Sequence, residues 1–220
     1  MRRLAAGFSL FAILFSSAPA RATPLFATFY TLTPGEGIAQ GGSYNYFDDT
    51  GSQLIDGVYG ANDFSADLGN GNAYEWVGWK TANPVMTFTF SSPVIINQVG
   101  IDFNRNEGAA GIYLPPTVTI AGTDFPVDPN AIPDATRGTL FFAGSWSGPT
   151  LTLTLTDNDP TRWLFVDEVT FDGVVVPEPS ARALLAGALG LLALRRALPV
   201  RVFSRFFPAR IHKNSLASVA

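Results

Sequence analysis

The stretch Met86-Thr-Phe-Thr-Phe90 alternates apolar side chains with threonine, and Leu151-Thr-Leu-Thr-Leu155 repeats the alternation. A period of two places the apolar side chains on one face of a β-strand and threonine on the other. Other runs rich in β-branched and aromatic residues are residues 94–103, 117–120, 139–143 and 163–171. Turn residues separate these runs, which is typical of the strands of a sandwich or barrel.

The rest of residues 23–173 agrees with an all-β domain. No window there offers an apolar helical stripe of three turns. Residues 124–137 are rich in Pro and Asp and are predicted to form a long surface loop. About 150 residues are enough for a core that folds without disulfides, and the chain has no cysteine.

The N-terminal residues 1–22 have the order of a secretion signal. Arg2 and Arg3 precede an apolar run at residues 4–15, and a small-residue stretch ends at Ala20-Arg21-Ala22. This is the A-x-A pattern of a cleavage site. Cleavage after Ala20, using Ala18-Pro19-Ala20, fits nearly as well. We therefore expect a signal helix that is removed on export.

The charge of the chain is distributed unevenly. Residues 23–173 contain four basic and 17 acidic side chains, a formal charge of −13, whereas the whole chain carries −4. Such a domain would be repelled by phosphate backbones, so nucleic acid is excluded as a partner. The chain has one histidine, His212, close to its end. A Ser-His-Asp triad and a His-ligated metal are therefore not expected in the domain, and we predict that it is not an enzyme.

The C-terminal part resembles the PEP-CTERM sorting signal of Gram-negative, exopolysaccharide-producing bacteria. The resemblance rests on Pro177-Glu178-Pro179, a Gly/Ala/Leu-rich apolar run at residues 181–194, and the pair Arg195-Arg196. It implies processing by exosortase, a membrane-embedded transpeptidase, after a transient stay in the inner membrane. The protein would then be released to the cell surface or extracellular matrix. The arginine pair would remain cytoplasmic under the positive-inside rule.

Two features of this tail depart from the family pattern. The apolar run of residues 181–194 would measure about 21 Å as a helix, against a hydrocarbon core of about 30 Å. It would span only with snorkelling arginines, a thinned bilayer or a longer helix. The chain also continues through residues 197–220, with four further bases. This basic tail would either lie on an anionic inner leaflet or be an extension without function.

The domain itself resembles a discoidin (coagulation factor 5/8 type C) module. The resemblance rests on the order of short motifs, which are Leu54-Ile-Asp-Gly57, Trp76-Val-Gly-Trp79, residues 85–90, residues 94–103, residues 111–120 and residues 165–171. It implies a galactose-binding-like jelly roll, an antiparallel β-sandwich of two sheets. The alternative is a β-sandwich of another type.

Aromatic side chains are the candidates for a glycan site, because exposed rings stack on sugar faces. Trp76 and Trp79 are three residues apart and point to opposite faces of a strand. We predict that Trp79 lies in the core and that Trp76 binds ligand at the surface. Tyr74, Tyr113 and Trp146 lie among turn residues and are predicted to line a cleft, although each could instead pack within its loop.

A structural Ca²⁺ is the candidate cofactor. Discoidin-like modules often hold calcium where an early loop meets the last strand, and the resemblance places Asp56 and Glu168 at these two positions. Asp63 lies in the same loop region, and backbone carbonyls would complete six to eight oxygen ligands. The alternative is that these carboxylates are solvated turn residues.

Together these features predict an exported, non-catalytic protein that binds carbohydrate at the cell surface or in exopolysaccharide. The alternative function is that of a structural matrix or floc-forming protein whose sandwich has no specific glycan ligand. An exposed aromatic platform beside polar side chains would favour the first.

Overall fold

The computed structural model describes residues 23–34, 46–66, 74–80, 83–108, 110–157, 159–177, 189–190 and 192. The described part of residues 23–177 has no helix and forms eight strands that pair antiparallel. The strands are β1 (Thr23–Leu25), β2 (Ala27–Leu32), β3 (Val77–Trp79), β4 (Val85–Arg105), β5 (Thr117–Ile120), β6 (Thr123–Pro126), β7 (Thr136–Thr156) and β8 (Leu164–Val175). The prediction of an all-β domain is confirmed.

The two longest strands build both layers of the domain. The first part of β4 pairs with β2 and with the end of β7, and its second part pairs with β8 and with the start of β7. The register shifts between Thr89 and Val94, where Ser91-Ser92-Pro93 interrupts the alternation. The runs at 86–90 and 94–103 were predicted as separate strands. They are one bent strand, as are the runs at 139–143 and 151–155.

Aromatic side chains from the two layers of strands pack against each other in the core. Phe88 and Phe90 from the first half of β4 approach Phe171 of β8 edge to face, with ring centroids 5.0 and 5.2 Å apart. Phe125 of β6 packs in the same way on Phe142 of β7, at 5.5 Å. The apolar side of the Thr-alternating runs therefore forms the core of an antiparallel β-sandwich, as predicted.

Trp79 belongs to this core. It is fully buried, and its indole N–H donates to the carbonyl oxygen of Thr33 at 2.8 Å. The core position predicted for Trp79 is thus confirmed. This hydrogen bond satisfies the indole N–H, which is the only polar group that the buried Trp79 side chain removes from water.

The segment after Ile120 differs from its prediction. Ala121 and Gly122 have φ of +47° and +82° and make the tight turn of a hairpin in which β6 pairs with β5. Because β6 takes the start of the predicted loop and β7 the end, the connection shortens to residues 127–135. The sequence did not predict the strands β1, β2 and β3. Two of them, β1 and β3, have only three residues each, and β2 buries little besides Tyr30.

The chain divides into two compact units, Met1–Val176 and Pro177–Ala220. In the second unit the described residues Leu189, Gly190 and Leu192 are helical. No helix within the described residues has the length and apolar character needed to cross a bilayer. The predicted signal helix at 1–22, the basic tail at 197–220, and the sorting residues Glu178, Pro179, Arg195 and Arg196 lie outside the described residues; Pro177 lies within them.

Candidate functional site

A β-bulge in β8 organises the candidate site. Between the pairs Ile101↔Val169 and Phe103↔Val166, β4 advances by two residues and β8 by three. The extra residue places both Asp167 and Glu168 opposite Asp102 of β4. Bulges bend a strand and redirect its side chains, and they are frequent beside binding sites.

The loop of residues 54–60 docks onto this bulge through three hydrogen bonds in succession. The N–H of Val169 donates to the carbonyl oxygen of Leu54 at 2.9 Å. The N–H of Gly57 donates to Glu168 Oε2 at 3.1 Å, and the N–H of Gly60 donates to Asp167 Oδ2 at 2.5 Å. Because Asp167 and Glu168 have no register partner in β4, their carboxyl groups accept hydrogen bonds from the loop.

Gly57 and Gly60 are required by this arrangement. Gly57 has φ of +81°, a conformation that costs L side chains energy. A Cβ on Gly60 would lie 2.3 Å from Nε1 of Trp76, because the loop passes directly over the indole ring. The loop therefore follows a fixed path from the core to the surface.

A cavity of about 410 Å³ lies between this loop and residues 24–27. Its walls are Pro24, Leu25, Phe26, Ala27, Ile55, Asp56, Gly57, Tyr59, Glu168, Val169, Thr170, Phe171 and Asp172. The rings of Phe26 and Tyr59 are 83% and 42% exposed. The cavity thus combines exposed aromatic rings with the carboxylates of Asp56, Glu168 and Asp172. This is the usual composition of a small-ligand site.

The acids at the bulge are buried. Asp102, Asp167 and Glu168 are at most 5% exposed. Burial, and then the nearby Asp102, raise the pKa of Asp167 far above its usual range. Asp102 accepts from the Thr139 hydroxyl at 2.6 Å and faces Arg137 at 3.0 Å. Loss of the proton from Asp167 is therefore disfavoured in the folded domain.

Two of the predicted ligand-binding aromatics are buried, and those predictions are wrong. Trp76 is fully buried. Trp146 is 9% exposed, and its ring covers Gly144 and packs against Phe125 with centroids 6.1 Å apart. Trp76 does point away from Trp79, as its spacing requires. However, that face is covered by a second hydrophobic cluster, formed by Tyr46, Phe64, Trp76, Ile112, Trp163 and Phe165.

The other two predicted aromatics are half-buried and have partners. Tyr74 packs against Tyr46, with ring centroids 5.7 Å apart. The guanidinium of Arg162 lies 4.5 Å above the ring of Tyr113. Neither ring lines the cavity described above. Their role as packing residues, which the sequence left open, is the one that these contacts favour.

The three predicted calcium ligands are brought together only in part. Asp56 and Glu168 both line the cavity. The carboxylate of Asp63 instead accepts from the N–H and hydroxyl of Ser65, at 3.1 and 2.7 Å. These bonds lower its pKa and make it a turn cap at the surface. Within the described residues, no three His, Cys, Asp or Glu side chains are arranged to hold a metal ion.

Comparison with known proteins gives likeness of structure but not of sequence. Neither a protein-family model nor a curated protein sequence matches the chain. The structure is similar to that of a fucolectin from striped bass serum, with 18% identity, a TM-score of 0.44, and coverage of 67% of this chain and 47% of that one. It is also similar to the family 32 carbohydrate-binding module of NanJ from C. perfringens in complex with galactose, with 11% identity, a TM-score of 0.40, and coverage of 69% and 99%.

A third neighbour is the C-terminal domain of a chitobiase from Bacteroides fragilis, with 14% identity, a TM-score of 0.43, and coverage of 70% of this chain and 100% of that one. A truncated AlyQ, with a carbohydrate-binding and an alginate lyase domain, is matched over 34% of its length. The chain therefore spans less than half of AlyQ and of the fucolectin. These likenesses concern general form only.

The cavity aromatics were missed at the sequence level. Phe26 follows the predicted cleavage site by a few residues and lies in no alternating run. Tyr59 follows the Asp56-Gly57 turn. From this turn the sequence analysis selected only Asp56, as a candidate calcium ligand. No local pattern shows that these two residues line one cavity, because the loop reaches β8 through contacts more than 100 residues apart in sequence.

Proposed function

We propose that this protein is an exported, non-catalytic carbohydrate-binding protein, and that the cavity between Phe26 and Tyr59 is its sugar site. The observation that carries the proposal is that exposed aromatic rings and carboxylate acceptors line the same cavity. Rings present apolar faces to the C–H side of a sugar, and carboxylates accept its hydroxyl hydrogens. The sandwich below keeps these groups in place before binding, which limits the entropy lost on association.

Exposure of Phe26 supports this proposal over the matrix-protein alternative. Phe26 is 83% exposed, so its ring contributes little to the core and is open to a ligand. Phe26 also borders a second depression of about 200 Å³, formed with residues 90–92, Val94 and Val175. A ring between two depressions is accessible to a ligand on both sides.

Replacing Phe26 by alanine should weaken glycan binding by about fivefold or more, since a stacking ring contributes on the order of 1 kcal/mol or more. The free energy of unfolding should change by less than about 0.5 kcal/mol, because the ring is exposed. The measurement is a glycan array with the full chain in mild detergent, followed by calorimetric titration of each sugar that binds.

The matched control is Phe141→Ala. Phe141 of β7 is 62% exposed and does not line the cavity, so its removal should leave binding unchanged. If both variants bind as the wild type does, the site is misplaced. If the wild type binds no glycan, the matrix-protein function replaces this proposal.

Calcium at Asp56 and Glu168 remains a proposal, with backbone carbonyls supplying the other oxygens. The titrations are therefore run both in calcium and in chelator. A bound ion would raise affinity or thermal stability, and Glu168→Gln would remove that gain.

The delivery route is proposed from the sorting residues Pro177, Glu178, Pro179, Arg195 and Arg196. Cells without exosortase should retain the protein in the inner-membrane fraction with its tail intact. Cells with exosortase should release a form that lacks residues 191–220, because cleavage is expected near the Pro-Glu-Pro motif. Mass spectrometry of the two fractions tests this, and tail peptides on the released form would contradict it.

A further inference from the structure

Tyr59 supplies one of the exposed rings of the cavity, and hydrogen bonds hold the backbone around it. Gly57 and Gly60 donate their N–H groups to the carboxyl groups of the bulge. After them, the carbonyl oxygen of Asn62 accepts from the side-chain amide of Asn104 at 3.0 Å. The backbone around Tyr59 is therefore fixed to β8 and β4, and the direction of its ring depends on the contacts of the side chain.

Arg137, near the start of β7, contacts this segment twice. Its backbone N–H donates to Asn62 Oδ1 at 3.0 Å, and its guanidinium carbon lies over the Tyr59 ring, 4.6 Å from the ring centroid. Arg137 is not among the wall residues of the cavity, whereas Tyr59 is. The guanidinium therefore covers one face of the ring from outside the cavity. Tyr59 is still 42% exposed, so the ring keeps a surface for a ligand.

The guanidinium of Arg137 is itself held in place by Asp102. Its Nη1 lies 3.0 Å from Asp102 Oδ1. Asp102 is 1% exposed, and its other oxygen accepts from the Thr139 hydroxyl at 2.6 Å, so this carboxyl group is a fixed point of the sheet. A planar guanidinium can pair with a carboxylate and stack on an aromatic face at the same time. Contacts thus lead from a buried acid through Arg137 to an exposed ring.

We infer that Arg137 is a positioning residue of the sugar site, which holds the Tyr59 ring in the orientation that receives the sugar without touching the sugar itself. This inference rests on the proposed function and adds a residue to its site. A ring that is fixed before binding loses less side-chain freedom when a sugar stacks on it. Without the guanidinium, the ring would also populate rotamers that turn it away from the cavity. Affinity would then fall although every wall residue remained.

The test is a double-mutant cycle of Arg137→Lys and Tyr59→Ala, measured as sugar affinity. Lysine keeps a positive charge beside Asp102 but lacks the planar group that stacks on the ring. Arg137→Lys should weaken binding by about two- to fivefold, the size of a cation–π contact at a partly exposed site. Tyr59→Ala should weaken it by about fivefold or more. In the double variant, Arg137→Lys should add no further loss, because the ring through which it acts is absent.

The probes are galactose, cellotetraose and the tetramer of N-acetylglucosamine, with any further sugar that the glycan array detects. They are titrated by calorimetry into the full chain in mild detergent, with calcium present so that a need for the ion cannot hide binding. The matched control is Arg162→Lys. Arg162 also lies over a tyrosine, Tyr113 at 4.5 Å, and pairs with an acid, Asp159 at 3.1 Å. Because no member of this stack lines the cavity, binding should stay unchanged.

A second variant covers the case in which Arg137→Lys does not fold, which urea unfolding of each protein detects. Asp102→Asn keeps the shape of the side chain, removes the charge that holds Arg137, and relieves the repulsion between Asp102 and Asp167. It should give the same two- to fivefold loss, about the size of the cation–π contact, and this loss should be absent when Tyr59 is alanine.

Four other outcomes overturn the inference, the proposed function or both. Equal affinity of Arg137→Lys and the wild type, with Tyr59→Ala weaker, contradicts the positioning role and leaves the sugar site intact. A loss that persists in the Tyr59→Ala background, or that Arg162→Lys reproduces, means that Arg137 does not act through the ring. Wild-type affinity of Tyr59→Ala removes this ring from the site, and the inference with it. Binding of no probe by the wild type, together with an empty glycan array, contradicts the proposed function itself.

Discussion

Replacing Trp76 by alanine should lower the free energy of unfolding by about 3–5 kcal/mol, the cost of a large-to-small change in a packed interior. The indole ring is fully buried in the second hydrophobic cluster and supports the backbone of Gly60. Its loss would leave a cavity below the loop that bears Tyr59. Urea unfolding followed by circular dichroism measures the change.

Two further variants make this prediction specific. Trp76→Phe should cost much less than alanine, because the indole N–H is buried without an acceptor in the described part of the chain and phenylalanine removes that group. Phe141→Ala, the exposed counterpart, should change stability by less than about 0.5 kcal/mol. A loss below about 1 kcal/mol for Trp76→Ala would show that the second cluster contributes little to stability.

The alternation of apolar residues and threonine was sufficient to predict strands of a sandwich or barrel, because a period of two is a local property of the chain. The choice of a sandwich came from the resemblance to the discoidin family. The runs 86–90 and 151–155 lie paired in the structure with their apolar sides in the core. Local pattern did not show that each run continues through a bend into the opposite layer. Where a strand bends depends on its partners, and β4 exchanges β2 for β8 along its length.

The site was harder to predict, for a reason visible at Trp76. Its spacing from Trp79 correctly placed the two rings on opposite faces, but the exposure of a face depends on what covers it. Residues that are distant in sequence, among them Tyr46 and Trp163, form that cover. Of the acids that the resemblance to the discoidin family pointed to, Asp56 and Glu168 line the same cavity, whereas Asp63 caps a surface turn. Calcium binding by these acids stays a prediction.

The free energy of unfolding should fall as pH rises from about 4 through neutrality into the mildly alkaline range. Asp167 is fully buried, and burial and Asp102 raise its pKa in the folded state, while the unfolded value stays near 3.8. A group whose folded pKa is raised stabilises the protein fully below the unfolded pKa. That contribution is lost as pH rises towards the folded pKa, by about 1.4 kcal/mol per pH unit for one proton. Glu168 steepens the loss between its ordinary pKa of 4.5 and its raised value of about 7.

Asp167→Asn should flatten this dependence at neutral and alkaline pH. The amide has the shape of a protonated carboxyl group, but it has no proton to lose in this range. Urea unfolding at about pH 5, 7 and 8.5, in chelator so that no metal binds the neighbouring acids, measures the slope for both proteins. Asp63→Asn is the control. Hydrogen bonds from Ser65 lower the pKa of this exposed carboxyl group, so it loses its proton only at acidic pH and its replacement should not change the slope. Two results would contradict this prediction. One is a free energy of unfolding that rises over this pH range, and the other is an equal pH slope for Asp167→Asn and the wild type. Either would mean that Asp167 is ionised in the folded protein and that the bulge holds two charged carboxylates against Asp102.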